Sequence, residues 1–296
     1  MIKRIVSKPI IDFSMDPEHL KNINGPSAIR VPDWCENALG KYYLYFAHHQ
    51  GKFIRLAYAD SIEGPWTIHK AGTLQLEQTH FINHIASPDV HIDHENQKII
   101  MYYHGVLPTR FDEFCPQRTG VATSKNGIDF ESVNTKFLGP FYFRVFEHEG
   151  WKYAISKTIY EGSGGLLLRS KDGFSEFEIG PKILERQRHV ALHKIGDTLD
   201  IYYTRIDDNP ESVLLAKMDL KGDWKEWHTS EPKLILQPET DYEGANLEPE
   251  ASREGAIHKP ARQLRDPDIL IDEGSKYMFY SCAGETSISV VQLVDY

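Results

Sequence analysis

Lys41-Tyr-Tyr-Leu-Tyr-Phe-Ala47 and Lys98-Ile-Ile-Met-Tyr-Tyr-His104 are two copies of an aromatic run that returns three more times. The others are Trp151-Lys-Tyr-Ala-Ile-Ser-Lys157, Thr198-Leu-Asp-Ile-Tyr-Tyr-Thr204 and Lys276-Tyr-Met-Phe-Tyr-Ser281. Each is rich in Tyr, Phe and Ile and flanked by Gly, Asp, Asn or Pro, the make-up of a strand between turns; helical periodicity is nearly absent. A candidate strand precedes every copy, at residues 26–31, 88–92, 141–146, 189–193 and 267–271. A third element follows: Ile54-Arg-Leu-Ala-Tyr-Ala59, Gly120-Val-Ala-Thr123, Leu166-Leu-Leu-Arg169, Val213-Leu-Leu-Ala-Lys217 and Ile288-Ser-Val-Val-Gln-Leu293. In four copies an aromatic closes the next turn (Trp66, Phe130, Phe177, Trp227), and fourth strands follow at Gly180-Pro-Lys-Ile-Leu184 and Glu231-Pro-Lys-Leu-Ile-Leu236. A four-stranded unit repeating every ~50–60 residues is the pattern of a propeller blade. A β-sandwich is the competing arrangement, and five aligned copies favour the ring. The expectation is an all-β, five-bladed β-propeller of four-stranded antiparallel blades, one domain over residues 1–296. The last copy stops at its third strand, and Ser7-Lys-Pro-Ile-Ile11 resembles the missing fourth, so the N-terminus is expected to close the ring and remove its free edge.

Composition narrows the partners. With 33 Lys and Arg against 43 Asp and Glu the net charge is −10, which repels a phosphate backbone, so no nucleic-acid partner is expected. Cys35, Cys115 and Cys282 are an odd set without metal-ligand spacing and fit reduced thiols. No apolar run approaches the roughly 18 residues that span a bilayer, and the first residues lack the pattern of a signal peptide. The expectation is a cytoplasmic protein with no membrane partner and of unassigned oligomeric state.

In a propeller the innermost strands converge on one axis, so residues where they begin share a funnel. These are Ser27, Asp89, Arg144, His189, Arg265 and Asp266. Residues just past the aromatic strands reach the same end: His48, His49, His104, Lys157, Arg205 and Glu285. Repeat-derived core positions should be apolar, and their ionisable character here points to a ligand site, although solvated strand rims carry charges as well. Consecutive His48 and His49 face opposite sides of a strand, so at most one enters the funnel. Trp34 offers a stacking surface for a sugar ring. The long stretch 237–265, with Glu243, Glu248, Glu250 and Glu254, reads as a functional loop. HExxH and GxSxG motifs are absent, and Gly162-Ser-Gly-Gly165 reads as a hairpin turn. No metal site and no required cofactor are expected, with room left for a structural calcium on the axis.

Ala86-Ser-Pro-Asp-Val90 ahead of the second aromatic run, and Arg265-Asp-Pro267 ahead of the fifth, carry a resemblance. The chain is similar to the five-bladed propeller glycoside hydrolases, the broad group of family 43 with relatives such as families 32, 62, 117 and 130. The resemblance implies that Asp89 orients a general acid and tunes its pKa, and that Asp266 binds sugar hydroxyls near the transition state. The family's first-blade Asp-Pro, whose Asp is the general base, is replaced here by Asn24-Gly-Pro-Ser27, with Gly25 where the Asp would be. A Glu-Gly-Pro motif for the general acid is missing; Glu161-Gly162 and Glu243-Gly244 are partial matches. Asp89, Asp266, Glu285 and Glu243 are candidates for a carboxyl pair, which would stand ~5 Å apart for retention and ~6.5–9.5 Å for inversion. A likeness to family 117 allows a histidine acid, His189 or His104. Arg144, Lys157, Arg205 and Arg265 suit a small oligosaccharide or glycoside bearing an acidic group, or else neutralise the buried aspartates. The expected function is exo-acting cleavage of a glycosidic bond in a central funnel. A non-catalytic carbohydrate-binding propeller and a lyase on uronate-containing sugars are the alternatives.

Overall fold

A computed structural model describes residues 1–108, 117–133, 137–157 and 164–294. Cys115, Glu161 and the first half of Gly162-Ser-Gly-Gly165 lie outside the described residues. The chain forms five blades of antiparallel strands arranged in a ring, and among the described residues helical structure is confined to four short 3-10 turns. The first blade consists of Asn24–Arg30, Tyr42–Ala47, Phe53–Ala59 and Thr67–Gln75, and the second of Ile82–Asp93, Lys98–Val106, Gln117–Ser124 and Glu131–Ser132. The third is Arg144–His148, Trp151–Lys157, Gly164–Ser170 and Glu178–Glu185, and the fourth Gln187–Ile195, Thr198–Arg205, Val213–Asp219 and Lys233–Leu236. The fifth has Arg265–Asp272, Ser275–Cys282 and Ser287–Leu293. The first strand of each blade is innermost, and these strands pack against one another around the axis.

The N-terminus closes the fifth blade, in two pieces rather than along residues 7–11. Ile2–Arg4 pairs with Val291–Leu293, and Ile11–Asp12 pairs further along the same strand with Ile288 and Ser287. Pro9 lies between the two pieces, where the absence of an N–H breaks the ladder.

The aromatic strands explain how the blades adhere. Each is buried on both faces, and alternation sends odd and even residues to different neighbours. Tyr43 and Tyr45 pack toward the second blade, whereas Tyr42, Leu44 and Phe46 pack toward the fifth. Met101 and Tyr103 face the first blade, and Ile100 and Tyr102 the third. The turn-closing aromatics pack backward onto the preceding blade. Ring centroids are 6.2 Å apart for Trp66 and Phe279, 5.8 Å for Phe130 and Tyr45, and 5.0 Å for Trp227 and Tyr153.

Candidate active site

Four blades carry a left-handed residue in or just before the innermost strand: Gly25 (φ 61°), Ser87 (φ 50°), Tyr142 (φ 64°) and Asp266 (φ 49°). In the first, second and fifth blades the ladder shifts register at this residue and a proline follows it. The fourth blade has its own register shift between Gln187 and Val190, which carries Arg188 and His189. Such bulges turn side chains out of the blade and toward the axis. Left-handed backbone is unfavourable for any residue with a Cβ, and strain of this kind gathers at ligand sites.

The bulges surround a cavity of about 330 Å³. His49, His84, His104, His189 and His258 line it, with Tyr142, Lys157, Arg188 and Glu254. Two histidines are backed by buried carboxylates. His189 Nδ1 lies against Asp266 Oδ1, while Asp266 Oδ2 accepts from the Gly25 N–H at 3.2 Å and from Ser281 Oγ at 3.1 Å. His49 Nδ1 lies 2.8 Å from Glu285 Oε2, which also accepts from Asn22 at 2.8 Å and Asn24 at 3.3 Å. In each ring Nδ1 is taken by the carboxylate and Nε2 has no hydrogen-bond partner among the described residues.

Burial alone would raise the pKa of Asp266 and Glu285. The hydrogen-bonded histidines and Arg265 outweigh it, and both carboxyls are held below the ordinary range. His189 is pushed down by burial despite Asp266, and His104, buried beside His84, is pushed well down. The His189 ring meets the edge of Tyr142 at 4.5 Å, and burial keeps that phenol protonated at neutral pH.

Beneath the dyads lies a layer of arginines. Arg265 bonds Glu285 at 2.8 Å and pairs with Glu211 at 3.2 Å; Arg188 bonds Glu211 at 2.8 Å. Arg144 donates to the carbonyls of Pro88 (2.9 Å) and Pro26 (3.4 Å) and plugs the axis. Asp89 is not in the cavity wall: its carboxylate accepts from Val145 N at 2.8 Å and meets His91 Nε2 at 2.8 Å. Asp268 does the same for Ala28 N at 2.8 Å, and Ser27 Oγ for Val90 N at 3.0 Å, so these positions tie one blade to the next.

Of the expected site residues, the structure brings His49, His104, Lys157 and His189 to the cavity, with Asp266, Glu285 and Arg265 directly behind. His48 turns away from it, and burial beside Arg55 lowers its pKa to about 4. Arg205 bonds Asp208 at 3.0 Å outside the cavity wall. Trp34 packs against the cluster between the first and second blades and offers the cavity no stacking face. Glu243 is buried against Arg4, Tyr280 and the backbone of Glu239, where it fastens the N-terminus to the long loop. Among the described residues no group of three or more His, Cys, Asp or Glu is arranged to hold a metal ion.

Sequence reasoning missed Tyr142, Arg188, His84, Glu211 and His258, and named Glu254 only as part of the long functional loop. Tyr142 holds the bulge position that Gly25, Ser87 and Asp266 hold in other blades, and Glu211 precedes Val213 as Glu285 precedes Ser287, so both were open to alignment of the repeats. Glu254 is on the long loop and has no counterpart in other blades.

No family model matches the chain. Uncharacterized protein R118 of Acanthamoeba polyphaga mimivirus is 38% identical, with 99% of this chain and 90% of that protein covered. Solved five-bladed structures share the fold at low identity. A GH43_1 enzyme from Xanthomonas citri matches at a TM-score of 0.66 and 14% identity, covering 99% of this chain and 92% of that one. A GH43 beta-xylosidase/alpha-arabinofuranosidase from a compost metagenome, in complex with xylotriose, matches at 0.64 and 14%, covering 100% and 96%. An N-acetylgalactosamine deacetylase from F. plautii, in complex with blood group B trisaccharide, matches at 0.68 and 8%, covering 99% and 95%. The architecture is that of the family 43 and related glycoside hydrolase propellers. No helix among the described residues is long and apolar enough to cross a membrane.

Proposed function

Because the chain belongs to the family of uncharacterized protein R118, a relative that supplies no activity, we propose one from the cavity itself: hydrolysis of a glycosidic bond in a small oligosaccharide. The observation that carries this reading is the pair of histidines that line one cavity, each held at Nδ1 by a buried carboxylate. A carboxylate on Nδ1 fixes the tautomer and ring orientation and supports the imidazolium, so the opposite nitrogen can donate or accept a proton. His189, backed by Asp266, donates a proton to the leaving oxygen. His49, backed by Glu285, takes a proton from the attacking water. One water is consumed: its hydroxyl ends on the anomeric carbon and the bond to the leaving oxygen breaks. Gly25 has no carboxylate to give, and its N–H instead steadies Asp266. The small volume, near the lower bound of about 300 Å³ for ligand pockets, and the arginine-plugged floor favour attack at a chain end over binding along a polymer.

The test is mass spectrometry of arabinosides, xylosides, galactosides, anhydro-sugars and uronates after incubation with the full chain. Fragment masses that sum to substrate plus one water are expected. His189→Gln and Asp266→Asn should each lower that turnover by about 10²-fold or more, and Asp266→Asn should also lower the melting temperature, because it removes a buried charge from the network. Normal turnover by both variants would remove the dyad from the chemistry. A second reading, β-elimination from a uronate, is favoured by the contact of protonated Tyr142 with His189. Fragments summing to the substrate mass alone, one of them unsaturated, would establish it. Sugar binding without turnover would instead favour a binding module.

A further inference from the structure

Asn22 lies buried just ahead of the first innermost strand, and its amide uses both protons and both lone pairs. Nδ2 donates to Glu285 Oε2 at 2.8 Å and to the Ile257 carbonyl at 3.2 Å. Oδ1 accepts from the His49 backbone N–H and from Asn24 Nδ2, both at 2.9 Å. The segment is itself anchored: the Asn22 carbonyl accepts from Arg55 at 3.1 Å, and Ile23 N donates to the Glu285 carbonyl at 2.8 Å. Two of the side-chain partners permit only one role. A backbone N–H can only donate and a carbonyl can only accept, so His49 N and the Ile257 carbonyl fix which way round the Asn22 amide stands.

That orientation matters because His49 Nδ1 is contested. Glu285 Oε2 stands 2.8 Å from it, and Asn24 Nδ2 stands 2.9 Å from it. A carboxylate there requires a proton on Nδ1, whereas a donating amide requires a lone pair. The two demand opposite tautomers, and only the first leaves Nε2 unprotonated in the neutral ring. Asn22 Oδ1 draws one Asn24 proton away, and the other has Glu285 Oε2 within 3.3 Å. Asn22 Nδ2 donates to Glu285, whose Oε1 bonds Arg265 at 2.8 Å, so that carboxylate stays ionised and can only accept.

Resting on the hydrolase reading, we propose that Asn22 is a positioning residue, which holds the His49 proton on Nδ1 and so leaves Nε2 to take the proton of the attacking water. It acts through Glu285 and Asn24 from behind the cavity wall. The same amide holds the Ile257 carbonyl between Ala256 and His258, which line the cavity, so one side chain sets both the wall and the base.

Imidazole 15N NMR on the full chain reads the tautomer without substrate, at a pH where the His49 signals no longer move, with His49→Gln identifying them. Wild type is expected to carry the proton on Nδ1, the reverse of the preference of a free histidine. Asn22→Ala releases the Asn24 proton, so the Nε2–H form should grow to a clear share. Turnover should fall by about 3- to 10-fold, in step with the Nδ1–H form lost. Removing the competing amide as well, by combining Asn22→Ala with Asn24→Ala, should return the proton to Nδ1. A residue that only supported the fold would show no such rescue. A wild type with the proton on Nε2, or a folded Asn22→Ala with the tautomer unchanged, overturns the proposal. Because Asn22 is buried and its variant can fail to fold, neutron diffraction from the deuterated wild type decides alone. Deuterons belong on His49 Nδ1 and between Asn22 Nδ2 and Glu285, and an Asn22 amide turned the other way overturns the proposal. The expected tautomers with no turnover of any sugar would sink the hydrolase reading and leave the positioning of His49 standing. Turnover by a wild type that carries the proton on Nε2 would do the reverse.

Discussion

Asp268 shows how one carboxyl is set apart from its neighbours by surroundings alone. Burial, helped by repulsion from Asp89, raises its pKa from 3.8 to about 6 despite Arg144 and the hydrogen bond it accepts from Ala28 N. An acid that holds its proton more tightly in the folded state stabilises fully below its unfolded pKa, and loses that contribution as pH rises through the folded value. The rise corresponds to about 3 kcal/mol, present below about pH 4 and gone above about pH 6. Asp268→Asn keeps a carbonyl oxygen for Ala28 N and removes the ionisation. Its melting temperature relative to wild type should therefore be higher at pH 8 than at pH 4.5, and a difference independent of pH would refute the buried ionisation. The same contrast explains which site residues could be read from the sequence. Asp266, Glu285, His189 and His49 stood out because ionisable side chains filled repeat positions that packing alone would make apolar. Asp89 stood out equally and proved to hold Val145 N, because the bulge that separates Asp266 from Asp268, and Ser87 from Asp89, breaks the two-residue alternation and changes what the side chain meets. Glu254 was legible only as one of four glutamates on a functional loop, because no repeat predicts where a long loop returns.

Among the elements, the aromatic strands were the most legible, since double-sided burial demands an unbroken run of large residues and leaves no helical alternative. The closing strand was legible in place but not in form. Pairing falls on Ile2–Arg4 and Ile11–Asp12, with the proline-containing segment between them unpaired. Arg4 then bonds Glu243 Oε1 at 3.0 Å and Glu239 at 2.8 Å, joining the strand to the long loop. Ile10 and Ile11 also enter the core between the first and fifth blades. Removing residues 1–11 strips the edge of the fifth blade and leaves Glu243 buried without its guanidinium. Each kcal/mol is worth about 2–4 °C in a chain of this size class, and the combined loss should lower the melting temperature by about 10 °C or more. A melting curve unchanged by the deletion would contradict closure by the N-terminus.

At the scale of the molecule, the fourth, fifth and first blades meet in a single buried charge network beneath the cavity. Arg188 and Arg265 face Glu211, Glu285 and Asp266, so with both dyad histidines neutral the network carries one negative charge in excess. One proton on a dyad histidine balances it, which suits a site that must hold and release a proton. The price is dependence on the carboxylates, because protonating them strands two guanidinium groups away from water. Asp266 and Glu285 have depressed folded pKa values, so each contributes stability above its unfolded pKa that is lost as pH falls through the folded one. Broken buried pairs cost about 3–5 kcal/mol each, far more than exposed ones. The melting temperature should therefore fall steeply below about pH 4, on the acid side of ordinary carboxyl pKa values. Arg265→Met should destabilise strongly at neutral pH and flatten that acid limb. Screening acts weakly on buried pairs, so raising salt from about 0.05 to 0.5 M should leave the limb in place. A limb that salt abolishes would instead belong to surface charge, and the ring would owe its acid stability to packing between blades.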